Sequence, residues 1–156
     1  MRMITIMTAV LATAGLVLSG AGCARGAGGP DLAAVAPCDL LTPAQLATAG
    51  LGAGRAADTG PARSCTWTRR DAGFAVPVAT LLVFPGEDLD GIRSAPTPFS
   101  GGYTDAEVGG LAALRTSGPG CTTVVDVGSG LLSMVEPTGC ADRGTMIELA
   151  VANLLA

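Results

Sequence analysis

Hydrophobic patterning divides the chain into a leader and a body. Ile4 to Leu18 is a 15-residue apolar run, preceded by Arg2 and followed by the small residues Ser19-Gly20-Ala21-Gly22 ahead of Cys23. A permanent membrane helix needs ~20 apolar residues, so this run predicts a cleaved signal peptide over residues 1–22. Ala24 to Ala36 holds small residues without periodicity. It predicts a tether over residues 23–36, which at ~3.5 Å per residue reaches up to ~45 Å from an anchoring point.

Residues 37–156 then read as one domain. Leu41-Thr42-Pro43-Ala44-Gln45-Leu46 is a helix start, with Thr42 at the N-cap, Pro43 in the first turn and Gln45 placed to close a capping box; Gly50 ends the helix. Gly52 to Pro61 reads as a surface loop. Ser64 to Arg69 alternates, with Cys65 and Trp67 on one face, and predicts a half-buried strand. A turn at Arg70-Asp71-Ala72-Gly73 leads to a second strand, Ala75 to Phe84, with Val76, Val78, Leu82 and Phe84 sharing a face and Pro77 marking an edge or a bulge.

Pro85 to Tyr103 is rich in Gly and Pro, with room for one helical turn around Asp88 to Ser94. Ala106 to Thr116 predicts a strand interrupted at Gly109-Gly110. Cys121 to Val127 and Leu131 to Glu136 flank the hairpin signal Gly128-Ser129-Gly130. After Cys140, Ile147, Ala150, Val151 and Leu154 fall on one helical stripe. The expected fold is α+β: an antiparallel sheet with an N-terminal and a C-terminal helix packed on one face, stapled by two disulfides.

Composition supports the need for staples. Apolar residues make up 49% of the 156 residues, yet there are only three Phe, one Tyr and one Trp. A core of Ala, Val and Leu buries less area per side chain than one with aromatic rings. Five cysteines are an odd number for an exported chain. Leu18 to Cys23 resembles the lipobox of bacterial lipoproteins, with Gly20 where a lipobox usually carries an apolar residue. On that reading Cys23 is acylated and anchors the chain to a membrane; ordinary cleavage near Ala21 or Ala27, giving a secreted protein, is the alternative. Lipidation of Cys23 leaves Cys38, Cys65, Cys121 and Cys140, for which three connectivities are open. Pairing of sequence neighbours, Cys38 with Cys65 and Cys121 with Cys140, closes loops spanning 27 and 19 positions. Each closure stabilises by ~3 kcal/mol in the chain-entropy model.

Charge and residue content narrow the chemistry. A net charge of −4 disfavours nucleic acid. The chain contains no His and no Lys, so neither a Ser/His/Asp nor a Cys/His arrangement is expected, and the commonest zinc ligand is missing. None of the cysteines forms a CxxC pair. Glu87-Asp88-Leu89-Asp90-Gly91 is the densest acidic run but lacks the ligand spacing of a calcium loop and reads as a solvated loop or helix start. Asp88, Asp105 and Glu136 are the carboxylates that paired acid–base chemistry would draw on, and no spacing selects among them. Trp67 is expected in the core beside the first disulfide rather than on a sugar-binding surface. Gly26-Ala27-Gly28-Gly29 follows no strand and opens no helix, so a phosphate cradle is not expected.

Pro37-Cys38-Asp39-Leu40-Leu41-Thr42-Pro43-Ala44-Gln45-Leu46, then Cys65-Thr66-Trp67, then Gly110-Leu111-Ala112-Ala113, and finally Cys121 and Cys140 ahead of a Leu/Ala/Val helix, resemble the actinobacterial lipoproteins of domain of unknown function 3558. Ala112 stands where that family often has Pro. The resemblance implies a lipid-anchored envelope protein with an α+β domain, and it carries no catalytic residue. The expectation is a non-enzymatic binding or sensing module without cofactor or metal. Its partners would be the membrane, through the lipid on Cys23, and a small envelope ligand or protein held near Pro85 to Tyr103 and the adjacent sheet. A structural or assembly accessory of an envelope complex is the second expectation.

Overall fold

The computed structural model describes residues 29–95, 102–116, 120–137 and 145–156. The leader, Cys23 and Cys140 lie outside them.

Seven antiparallel strands form one sheet: β1 (Arg55–Thr59), β2 (Ala62–Asp71), β3 (Phe74–Pro85), β4 (Tyr103–Val108), β5 (Leu111–Thr116), β6 (Cys121–Asp126) and β7 (Gly130–Glu136), in the order β1-β2-β3-β7-β6-β5-β4. Alternation sends Cys65, Trp67, Leu81, Val83, Leu132, Met134, Val125 and Ala113 to one face. There they join Leu40, Leu41 and Leu46 from the N-terminal segment and Met146, Ile147, Ala150 and Val151 from α3 (Thr145–Leu155) in the main core. A 3-10 helix (Pro37–Leu40) and α1 (Pro43–Thr48) complete that layer. The expected helices at both chain ends are therefore present and share a face.

The opposite face carries a third helix, α2 (Leu89–Ser94), where the sequence offered only a possible turn. Asp88 caps it, accepting from the Gly91 amide at 2.7 Å. Leu89 and Ile92 pack there on Leu114, Val124 and Leu131, with Phe84 and Tyr103 alongside.

Several expectations need correcting. The loop expected over Gly52 to Pro61 contains edge strand β1, whose Ala57 carbonyl accepts from the Ser64 hydroxyl at 3.0 Å. Its weak apolar pattern hid it, because an edge strand of Ala and Arg buries little. Ala106 to Thr116 is two strands rather than one: Gly109 and Gly110 have φ of 59° and 81°, the left-handed pair that closes a two-residue hairpin. The expected face of β3 is also wrong beyond Val78. A bulge between Trp67/Thr68 and the opposing strand places Val78 and Ala79 together in the core, so that Leu81 and Val83 face inward while Phe84 belongs to the opposite cluster. Pro77 marked that bulge correctly.

The residues expected as tether are partly body. Leu32 is 1% exposed and sits in the main core. Arg63 donates to the Leu32 carbonyl and Ser129 to the Pro30 carbonyl. Thus residues 29–36 are packed at the end of the sheet that carries the Gly128-Ser129 turn.

The disulfide Cys38–Cys65 is formed, with Cα atoms 5.1 Å apart. It ties the 3-10 helix to β2. Cys121 is also a disulfide cysteine, whose partner lies outside the described residues, so one bridge rather than the expected two is described.

Candidate functional site

The best-formed cavity lies on the main-core face, in the corner between α1, α3 and the middle of β2 and β3. Each wall follows from a local sequence feature. At α1, the Thr42 hydroxyl accepts from the Gln45 amide, and the Gln45 side chain accepts from the Thr42 amide at 2.8 Å, so the first turn is held without help from the core. The stripe of α3 buries Ile147, Ala150 and Val151, leaving Met146 and Leu149 toward α1. Asn153 clamps the two helices, donating to the Leu40 carbonyl at 2.8 Å and to Gln45 Oε1 at 2.9 Å. The β3 bulge supplies Val78 as floor.

The resulting groove is about 510 Å³, lined mainly by Leu41, Leu46, Leu51, Val78, Met146 and Leu149, with Arg69 at its rim. That size and apolar character fit a small-molecule site. A second depression of about 540 Å³ adjoins it across Leu41, Leu46 and Leu51 and runs past Cys38 to Gly54.

Cys65 and Trp67 underlie this region, and both are fully buried. Gly54 passes so close that a Cβ there would lie 2.7 Å from Trp67 Nε1, 3.1 Å from Cys38 Sγ and within collision distance of Cys65 Sγ. Trp67 therefore stands in the core beside the first disulfide, as expected, and its indole N–H has no hydrogen-bond partner among the described residues. Nothing in the sequence distinguished Gly54 from the other glycines of its segment.

Beyond the groove β2 and β3 continue as a two-stranded hairpin. β1 pairs only as far as Thr66, and β7 begins pairing at Thr80. Thr68 to Pro77 are exposed throughout, with Phe74 at 75% and Val76 at 42%.

Of the segment Pro85 to Tyr103, expected near a ligand together with the adjacent sheet, α2 packs on the sheet face opposite this groove. The carboxylates do not converge. Asp88 is a helix cap, Asp105 pairs with Arg93, and Glu136 is buried and engaged. The hydrogen bond that Arg93 donates to Asp105, the charge of Asp105 and a second bond donated to Asp90 hold the Arg93 guanidinium above its usual range. Among the described residues no three His, Cys, Asp or Glu side chains gather as a metal site, and no helix is long and apolar enough to cross a membrane.

No curated protein and no solved structure matches the chain. A family model described as "Protein of unknown function (DUF3558)" matches residues 19–153. With that match covering nearly the whole chain, from just ahead of Cys23 to the last turn of α3, the protein belongs to the DUF3558 family.

Proposed function

We propose that this chain is a lipid-anchored, extracytoplasmic binding module of the cell envelope, non-enzymatic, with the groove between α1 and α3 as its ligand site. The observation that carries the reading is the groove itself: an apolar cavity beside a disulfide, held open by side chains whose polar atoms are bonded to each other. An open groove with such a lining leaves apolar surface in contact with water, which an apolar ligand would relieve.

What supports anchoring at Cys23 is the sequence itself: the apolar run Ile4 to Leu18 and the small residues Ser19-Gly20-Ala21-Gly22 ahead of the thiol. Acylation also completes the cysteine pairing. Cys38 and Cys65 are joined, so with Cys23 acylated Cys140 is the partner left for Cys121. The anchor would be short. Gly29 already contacts the β6–β7 turn, so the six bonds between consecutive Cα atoms from Cys23 to Gly29 span at most ~21 Å. The end carrying Gly128 and Ser129 would face the membrane, and the β2–β3 hairpin, leaving the opposite end, would point outward.

Nile red, a neutral apolar reporter, tests the binding reading. The native chain should enhance its fluorescence at one equivalent, and Ala49→Trp, which puts an indole at the groove lining, should abolish the enhancement without lowering the melting temperature. No enhancement by the native chain, or an undiminished one in the variant, contradicts the reading.

A second reading, an accessory to assembly of an envelope complex, is favoured by the projecting hairpin with Phe74 and Val76 exposed. Crosslinking from Phe74 would distinguish it.

A further inference from the structure

The polar groups at the groove narrow the ligand class. Resting on the binding reading above, the geometry points to a single-chain amphiphile with an anionic head group, its apolar chain in the groove and its head on Arg69.

Three polar side chains line the groove: Gln45, Thr48 and Arg69. Two are committed to the fold. Gln45 Oε1 accepts from Thr42 and Asn153, and the Thr48 hydroxyl donates to the Ala44 carbonyl at 2.9 Å. Among the described residues Arg69 is the only charged one that lines the groove, and its guanidinium makes no ion pair or hydrogen bond with any of them. Asp71 lies two positions along the same strand and Glu148 adjoins Leu149 on α3, yet neither is paired with it.

An unpaired guanidinium beside apolar walls suits a ligand divided in the same way. Arginine stays charged at any accessible pH and presents a planar fork that matches carboxylate or phosphate oxygens. Its aliphatic stem can lie along the apolar surface while the head remains at the rim. With a net charge of −4, the chain offers an anion no general attraction. Selection for an anion must therefore come from Arg69 itself. A fatty carboxylate and a lysophospholipid phosphate present the same chemistry to it.

The test titrates the native full chain with cis-parinaric acid, a fluorescent long-chain carboxylate, and with its uncharged methyl ester. The acid should bind about tenfold more tightly, as a charge-assisted hydrogen bond at a partly open site allows. Arg69→Ala should remove that preference by weakening acid binding alone, and Arg69→Lys should retain most of it. Displacement of the bound acid by palmitate or by lysophosphatidylglycerol identifies the source of the head group, and displacement by either supports the proposal. Equal binding of acid and ester by the native chain, or an unchanged preference in Arg69→Ala, overturns the proposed head-group selectivity while leaving the binding reading intact. Failure of both probes to bind overturns the binding reading as well.

Discussion

On one face of the sheet Cys65, Trp67, Leu81, Val83, Leu132 and Met134 meet the N-terminal segment and α3; on the other, Ser64, Thr66, Thr80, Thr122 and Ser133 share space with a small cluster around Leu114, Val124 and Leu131. The two faces are held by different means. The first buries the only Trp and is covered by segments from the two ends of the chain, which the Cys38–Cys65 bridge and Asn153 tie down. The second pairs some of its hydroxyls across neighbouring strands, as in the Thr66–Thr80 contact at 3.0 Å and the Thr116 hydroxyl accepting from the Thr122 amide at 2.9 Å, while the Thr122 hydroxyl has no partner among the described residues; the six residues of α2 pack on it. The difference explains where the groove lies. Rounded helical segments laid on an apolar sheet by a few tethers leave a corner unfilled, whereas short hydroxyl side chains under one helical turn leave little apolar volume.

The two faces differ most in what a single truncation removes, and Trp67 is the extreme case. Trp67→Ala should cost ~3–5 kcal/mol, the range for a large aromatic truncated in a core, read as the loss of urea midpoint. On the other face Leu89→Ala should cost about 2 kcal/mol, at the low end for a buried Leu, because the cluster it leaves is small and open to the rim. A larger loss at Leu89 than at Trp67 would reverse the ranking of the faces. The hairpin beyond both faces supplies the baseline: Phe74→Ser should change stability by less than ~0.5 kcal/mol, since the ring is exposed and outside either cluster. Arg93 adds no pH dependence in the ordinary range. Its pKa is raised, so whatever its pairing contributes is present below its usual value and is lost only as pH rises through the higher one.

Much of this architecture is legible in the residues. The capping box at Thr42 and Gln45, the alternation around Cys65 and Trp67, and the glycines of the β6–β7 turn each act through neighbouring positions, and each forms as expected. Interactions between distant segments were not legible. Leu32 looks like linker because the apolar neighbours that receive it come from elsewhere in the fold. Simple alternation puts Leu82 on the face of Val78, and a one-residue bulge reverses it; Pro77 announces the bulge without fixing which residue is extra. The groove between α1 and α3 has no signature in the sequence, where the Gly and Pro of Pro85 to Tyr103 are the more conspicuous binding signal. Its actual lining comes from four separate stretches, and Arg69 looked like any other exposed strand residue. Gly54 is recognisable only once the disulfide stands beside it.

The proposed anchoring at Cys23 is tested most directly by the intact mass of the mature protein isolated from cells with thiols trapped by alkylation. Lipidation requires a chain beginning at Cys23, carrying diacylglycerol on its sulfur, with no alkylated cysteine. A chain beginning elsewhere, or one in which Cys23 is alkylated or disulfide-bonded to Cys121, would contradict it.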